Sequence, residues 1–292
     1  MKKRMSEQEM QETLIAARHG TTREAVAAFK ELGRHKCKGG GPALLSRIAD
    51  KNAEIRLVCV QESIDILGEA AFEHLVAALR DPVIQIGMIA ASHLAWIGTQ
   101  RAAQVLVQAA SGTDQVVQTH GAYGLEFWRS KDGMLVLLEA LADRRFPYRG
   151  TAALALARSG VREALPALAE AFAHERNWGD KMQMAAALTL LGNDRREFIR
   201  EGLRSEWSDR RLAALICAQE LKDKEAFCDI VPLLHSMDVE VSLQAAETLK
   251  AIGVPQKEKR KKLLADIAKL SIKRRLPEGY RVEAAGRTGK AV

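Results

Sequence analysis

Apolar positions along this chain follow a helical rhythm, with a second and longer period laid over it. From about residue 43 to residue 253, Leu, Ala, Ile and Val recur at three- and four-residue spacing, the mark of helices with one buried face. The runs come in pairs. A shorter run, such as AFEHLVAALR or GMLVLLEALA, leads into a polar turn, and a longer Ala-rich run follows. DPVIQIGMIAASHLAWIG (81–98) is one turn with its longer run. DRRFPYRGTAALALARSG (143–160) and SMDVEVSLQAAETLKAIG (236–253) repeat its form, and DKNAEIRLVCVQESIDILG (50–68) is one residue longer.

The residue six positions after the start of each turn makes the period visible. It is Arg56, Gly87, Gln118, Arg149, Lys181, Arg211 and Ser242, with steps of 31, 31, 31, 32, 30 and 31. A fixed period of this size is the signature of a solenoid. Asp, Asn or Ser in the turn supplies an N-cap for the second helix, and an acid there suits its positive end. Gly68, Gly98, Gly160, Gly192 and Gly253 stand where that helix must stop, since glycine takes the left-handed cap without strain. The expected fold is all-α: an α-solenoid of about seven helical hairpins of about 31 residues.

The Asp81-Pro82 turn, the Ala90-Ala91 pair, Leu94 and Ile97-Gly98 resemble the HEAT-repeat family. Asp143, Tyr148-Arg149, Ala152-Ala153 and Leu156 carry the same pattern. The short Ala-rich form is similar to that of bilin-lyase subunits. The resemblance covers residues 43–253, with Gly87 and Ser242 departing at the basic position and Asp180 standing where Val is usual. It implies HEAT-like hairpins whose second helices line a concave binding face. It also implies a rival role as a bilin-lyase-like subunit or chaperone acting on a client protein.

The expected organisation is a helical cap and Gly-rich joint over 1–42, with EAVAAFKELG resembling a degenerate repeat. The repeat solenoid fills 43–255, and a basic amphipathic helix with a tail fills 256–292. Charge changes the picture only in that last segment. Residues 256–292 hold 12 Lys/Arg and 4 Asp/Glu, although the whole chain of 292 residues is only +7. The high isoelectric point therefore belongs to the tail, and the repeat body is close to neutral. The basic N-terminus has no apolar run behind it, as a secretory signal would, and no apolar stretch is long enough for a bilayer. The expected location is cytoplasmic. Cys37, Cys59, Cys217 and Cys228 form no CxxC pair, and Cys59 and Cys217 read as small core residues.

No convergent catalytic set stands out, so the expectation is a non-enzymatic scaffold with no metal and no cofactor. KCKGGGPALL (36–45) lacks the GK[ST] ending of a phosphate loop. His93 and His120 fall on neighbouring second helices without metal-ligand spacing. Trp128 and Asp132 are similar to the aromatic–acid pair of HEAT-like alkylpurine glycosylases, but Asp132 falls in an inter-repeat turn.

The stronger candidate is a set of turns at equal register. RRFPYR (144–149), ERNWGDK (175–181) and EWSDRR (206–211) carry Arg144, Arg145, Tyr148, Arg149, Arg176, Trp178, Lys181, Trp207, Arg210 and Arg211. Arg and large aromatics are enriched at binding hot spots, and charge beside planar rings suits an acidic peptide, a phosphate or a stacked base. The leading expectation is another protein as partner, an acidic one among the options. The same residues have a structural alternative: Trp178 and Trp207 seal the core while Arg149 and Arg211 bond neighbouring acids. The tail either caps the solenoid or meets an anionic membrane, nucleic acid or an acidic partner. The nucleic-acid alternative predicts affinity that falls steeply with added salt and disappears on removal of residues 256–292, which a filter-binding series in increasing salt measures.

Overall fold

The structure, a computed structural model, describes residues 5–253. Every regular element among them is helical, and the fold is an all-α solenoid. The helices form successive hairpins. The first is α1 (Glu7–His19) with α2 (Thr22–Arg34). Then come α3 (Gly41–Arg47) with α4 (Ala53–Leu67), and α5 (Phe72–Ala78) with α6 (Ile84–Ile97). Next are α7 (Gln100–Ser111) with α8 (Gln115–Glu126), and α9 (Met134–Ala142) with α10 (Arg149–Arg158). The series ends with α11 (Leu165–His174) and α12 (Trp178–Leu190), α13 (Arg196–Leu203) and α14 (Ser208–Glu220), and α15 (Phe227–Ile230) and α16 (Val239–Ile252). A 3-10 turn, Val231–His235, continues α15. Packing divides the chain into two units, the first ending at Phe198 and the second beginning at Ile199.

In the first unit the even-numbered helices stack in chain order from α2 to α12. Small residues allow this. From Arg149 to Ala157 every residue of α10 is buried, because α8 and α12 both pack against it. Small and aliphatic residues fill every face of this helix from Ala152 to Ala157, and a helix of that kind is covered on all sides. The Gly-rich joint is packed too: Gly40 and Gly41 are buried, and a Cβ at Gly40 would lie 3.1 Å from Leu32. In the second unit α14 packs against α16.

Helix ends follow the same register. The five glycines expected to stop second helices all have positive φ. So do Lys36 and Lys222, the two non-glycine residues with positive φ among the described residues. Both sit two residues beyond the end of a second helix, as Gly160 and Gly192 do. Their main-chain N–H groups close the same motif: Lys222 N–H donates to the Gln219 carbonyl and Asp223 N–H to the Ala218 carbonyl. α1 and α2 thus form a hairpin whose end follows the cap geometry of the later repeats. A lysine in this conformation is strained, because its Cβ crowds the carbonyl.

Gly87, the glycine in the basic column, is explained by its neighbour. His120 on α8 is fully buried and fills the space above it. A Cβ at Gly87 would lie 2.1 Å from the imidazole Cε1. His120 Nδ1 lies 2.9 Å from the Leu79 carbonyl, to which it donates. Two substitutions should therefore move stability in opposite directions. Gly87→Ala should cost about 1–3 kcal/mol by overpacking, and less in a His120→Ala background. Lys222→Gly should gain about 0.5–1 kcal/mol by relieving the cap. Urea denaturation midpoints of the four proteins and the parent check both.

Candidate interaction surfaces

The basic column is mostly committed to holding the turns. Residues near the end of each first helix leave carbonyls without helical partners. Arg56 Nη1 donates to the Asp50 carbonyl at 2.9 Å, Gln118 Nε2 to the Gly112 carbonyl at 2.7 Å and Lys181 Nζ to the Glu175 carbonyl at 3.3 Å. Arg149 reaches the Leu141 carbonyl at 2.8 Å. In the second unit Arg211 Nε donates to the Ser205 carbonyl. Two of these side chains also grip the acid that opens the next turn. Arg56 makes a two-point contact with Asp81, and Arg149 pairs with Glu175. Burial raises the Asp81 carboxyl, but Arg56 and the Val83 N–H together outweigh it and hold Asp81 below the usual carboxylate range.

Asp180, where the family pattern has Val, has its own task. It accepts the Gly150 N–H at 2.8 Å across the repeat boundary. Tyr148, the N-cap of α10, makes no side-chain cap bond, so Asp180 supplies the missing anion to that helix start. Burial raises its carboxyl, the Gly150 N–H acts against that, and nearby Glu175 adds to the rise.

The sequence-derived site residues thus divide by task. In the first unit Arg149 is buried, Lys181 lies over the Phe172 ring, and Trp178 stacks on Phe198 at 5.1 Å with planes 2° apart. Tyr148 meets Phe146 edge-on. Arg145 is exposed and pairs with its own turn acid, Asp143. Arg144 and Arg176 are exposed, and their side chains make no ion pair among the described residues. In the second unit Trp207 is 63% exposed, while Arg210 has a partner and Arg211 is tied to its turn.

Trp128, His93 and Cys59, also raised by the sequence, are packed. Trp128 is fully buried, and its Nε1 donates to the Ser130 carbonyl at 2.7 Å, so it presents no face to a ligand. His93 Nδ1 lies 3.4 Å from Ser63 Oγ, and burial lowers its pKa. Cys59 is buried and its thiol is pushed up to about 12, while Cys228 is exposed. Among the described residues no three His, Cys, Asp or Glu side chains gather as a metal site, and no helix is long and apolar enough to cross a membrane.

Sequence reasoning missed a row on the second helices. Trp96 at the end of α6 is 69% exposed, and Phe127, just past α8, is 46% exposed. They lie 31 residues apart, and the same step leads on to Arg158. Tyr123 packs on Phe127 with ring centroids 4.8 Å apart. Arg158 Nη1 donates to the Glu126 carbonyl at 2.8 Å, tying the ends of α8 and α10. Leu190, at the matching position of α12, is also exposed. The register alone could have found this row. The residues were passed over because an aromatic in a helical pattern ordinarily reads as core.

Residues 41–126 match the family described as HEAT repeats. Among solved structures the chain is similar to the complex of CpcE and CpcF of phycocyanin lyase from Nostoc sp. PCC7120. The identity is 18% and the TM-score 0.51, covering 78% of this chain and 94% of that one. It is also similar to human deoxyhypusine hydroxylase in complex with glycerol, at 16% identity and a TM-score of 0.39, covering 84% of this chain and 100% of that one. The first of these likenesses is one of fold. No curated protein matches by sequence.

The Arg56–Asp81 pair joins successive helical hairpins, and its loss has a sign in pH. A carboxyl held below its unfolded value stabilises fully above about pH 4 and ceases to do so as pH falls through the folded value. Asp81→Asn should cost about 2–3 kcal/mol at pH 7. The gap to the parent should close progressively below about pH 4, as read by urea denaturation across pH.

Proposed function

We propose that this protein is a non-enzymatic scaffold that holds a partner protein on the open face of its second helices and along its Arg/Trp turns. The observation that carries the proposal is the exposed pair Trp96 and Phe127, with half-buried Tyr123 packed beside Phe127, in a chain whose aromatics amount to only 5%. Large aromatics left in water on a rigid helical platform are the anchors from which protein interfaces are built. Trp207 offers a similar anchor in the second unit.

The turn residues contribute in two ways. Arg149, Lys181 and Arg211 hold the turns rigid, while Arg144, Arg145, Arg176 and Trp207 face solvent. A partner with an acidic surface suits the exposed arginines of the first unit's turns, although exposed ion pairs contribute little each and favour on-rate and orientation over affinity. The likeness to the phycocyanin lyase structure, itself a complex of CpcE and CpcF, supports a protein partner. A bilin-lyase-like role shares that support at the level of fold alone.

The test is affinity capture from the native cell, followed by the same capture with two double variants. Trp96→Ala with Phe127→Ala should weaken retention of the captured partner at least about tenfold, since hot-spot aromatics each contribute about 2 kcal/mol or more. Arg176→Glu with Trp207→Ala should weaken it less and make it more salt-sensitive. Melting temperatures should stay close to the parent, because all four side chains face solvent. Unchanged retention in the first variant would remove the open face from the interface. Visible absorbance on co-expression with a tetrapyrrole source would favour the lyase-like role instead.

A further inference from the structure

The first unit carries a small cleft on its other side, between the end of α9 and the length of α11. Its open volume is about 140 Å³, close to the roughly 150 Å³ that accommodates a benzene-sized group. Leu141, Ala142, Ala167 and Ala171 line it. These are small or aliphatic side chains, so the interior welcomes an apolar group. One wall is Arg149, whose guanidinium is fixed by the Leu141 carbonyl and by Glu175. That wall is rigid and its charge already answered.

The lining also includes Arg144, Glu170 and His174, all exposed. Arg145, next in the chain, is engaged by Asp143, whereas Arg144 makes no ion pair among the described residues. The cleft is therefore a mixed one, with an apolar patch of Leu141, Ala142, Ala167 and Ala171, an uncommitted guanidinium beside it and a carboxylate, Glu170, also at hand. Such a guanidinium is a ready partner for a carboxylate, which it can hold at two points.

We propose that this cleft is a docking site for a short acidic–apolar segment of the partner protein: one leucine-sized side chain enters the cleft, and a carboxylate beside it in the partner sequence pairs with Arg144. Glu170 sets the direction, because the partner's acid must lie toward Arg144 and away from Glu170. The inference rests on the scaffold reading above, but it names a different surface and the chemistry that fits it.

The experiment uses the full chain with carbon-13 methyl labels on Leu and Ala, titrated by NMR. The probes are acetyl-Asp-Leu-Asp-amide, acetyl-Lys-Leu-Lys-amide and inorganic phosphate. The acidic peptide should move the methyl signals of Leu141, Ala142, Ala167 and Ala171, and the basic peptide should not. Arg144→Glu should weaken the acidic peptide about fivefold, in the range of an exposed ion pair lost and reversed. Glu170→Gln should tighten it about twofold, and Trp96→Ala should leave it unchanged. Equal binding of the basic peptide, the same shifts with phosphate alone, or unmoved methyl signals at all four residues would each overturn the proposal. Failure at the cleft with partner capture still dependent on Trp96 leaves the scaffold reading standing. Peptide binding at the cleft with capture indifferent to Trp96→Ala removes the open face and leaves the cleft.

Discussion

A helical hairpin of about thirty residues must satisfy the carbonyls left at the end of its first helix, and in this chain one side chain does so repeat after repeat. Arg56, Gln118, Lys181 and Arg211 each return to the main chain six residues earlier. Where the column residue is arginine and the next turn opens with an acid, the same guanidinium bridges forward, as from Arg56 to Asp81 and from Arg149 to Glu175. One position thus orders the hairpin and sets its register against the next. A buried pair of this kind is weak evidence of net stability, but removing one partner strands the other.

Departures from the column show what the constraint demands. Gly87 has no side chain to offer, and His120 from the following repeat enters the space and takes the Leu79 carbonyl. Asp180 replaces an apolar residue, and its carboxylate takes up the free N–H at the start of α10. In both places a polar main-chain group is answered by a side chain from the neighbouring repeat. The need is for the hydrogen bond and the filled volume, not for a given residue type. The same logic separates scaffold from surface. A cation that holds a carbonyl is part of the frame, which leaves Arg144 and Arg176 as charges free to meet something else.

Much of this was legible in the chain. The 31-residue period, the paired helices and the five stopping glycines follow from spacing and from the conformational limits of L-residues, which act locally. Those features are written within one hairpin or between identical hairpins, so sequence alone displays them. Lys36 and Lys222 were not legible as helix stops. Lysine has no preference for the left-handed cap, and the main-chain hydrogen bonds that close the helix end hold it there.

The partition of the aromatics and arginines was decided by tertiary structure. Trp128 and Trp96 look alike in an apolar run, yet one is fully buried and the other 69% exposed. Arg144 and Arg149 lie five apart in the same turn, yet one faces solvent and the other is buried against Leu141 and Glu175. These fates depend on which neighbouring helix covers each position, an interaction between segments that no single segment encodes. Sequence by itself determined that the chain folds as stacked helical hairpins, because period and cap are local. Only the packed structure decided which side chains remain for a partner, because burial is a property of the stack.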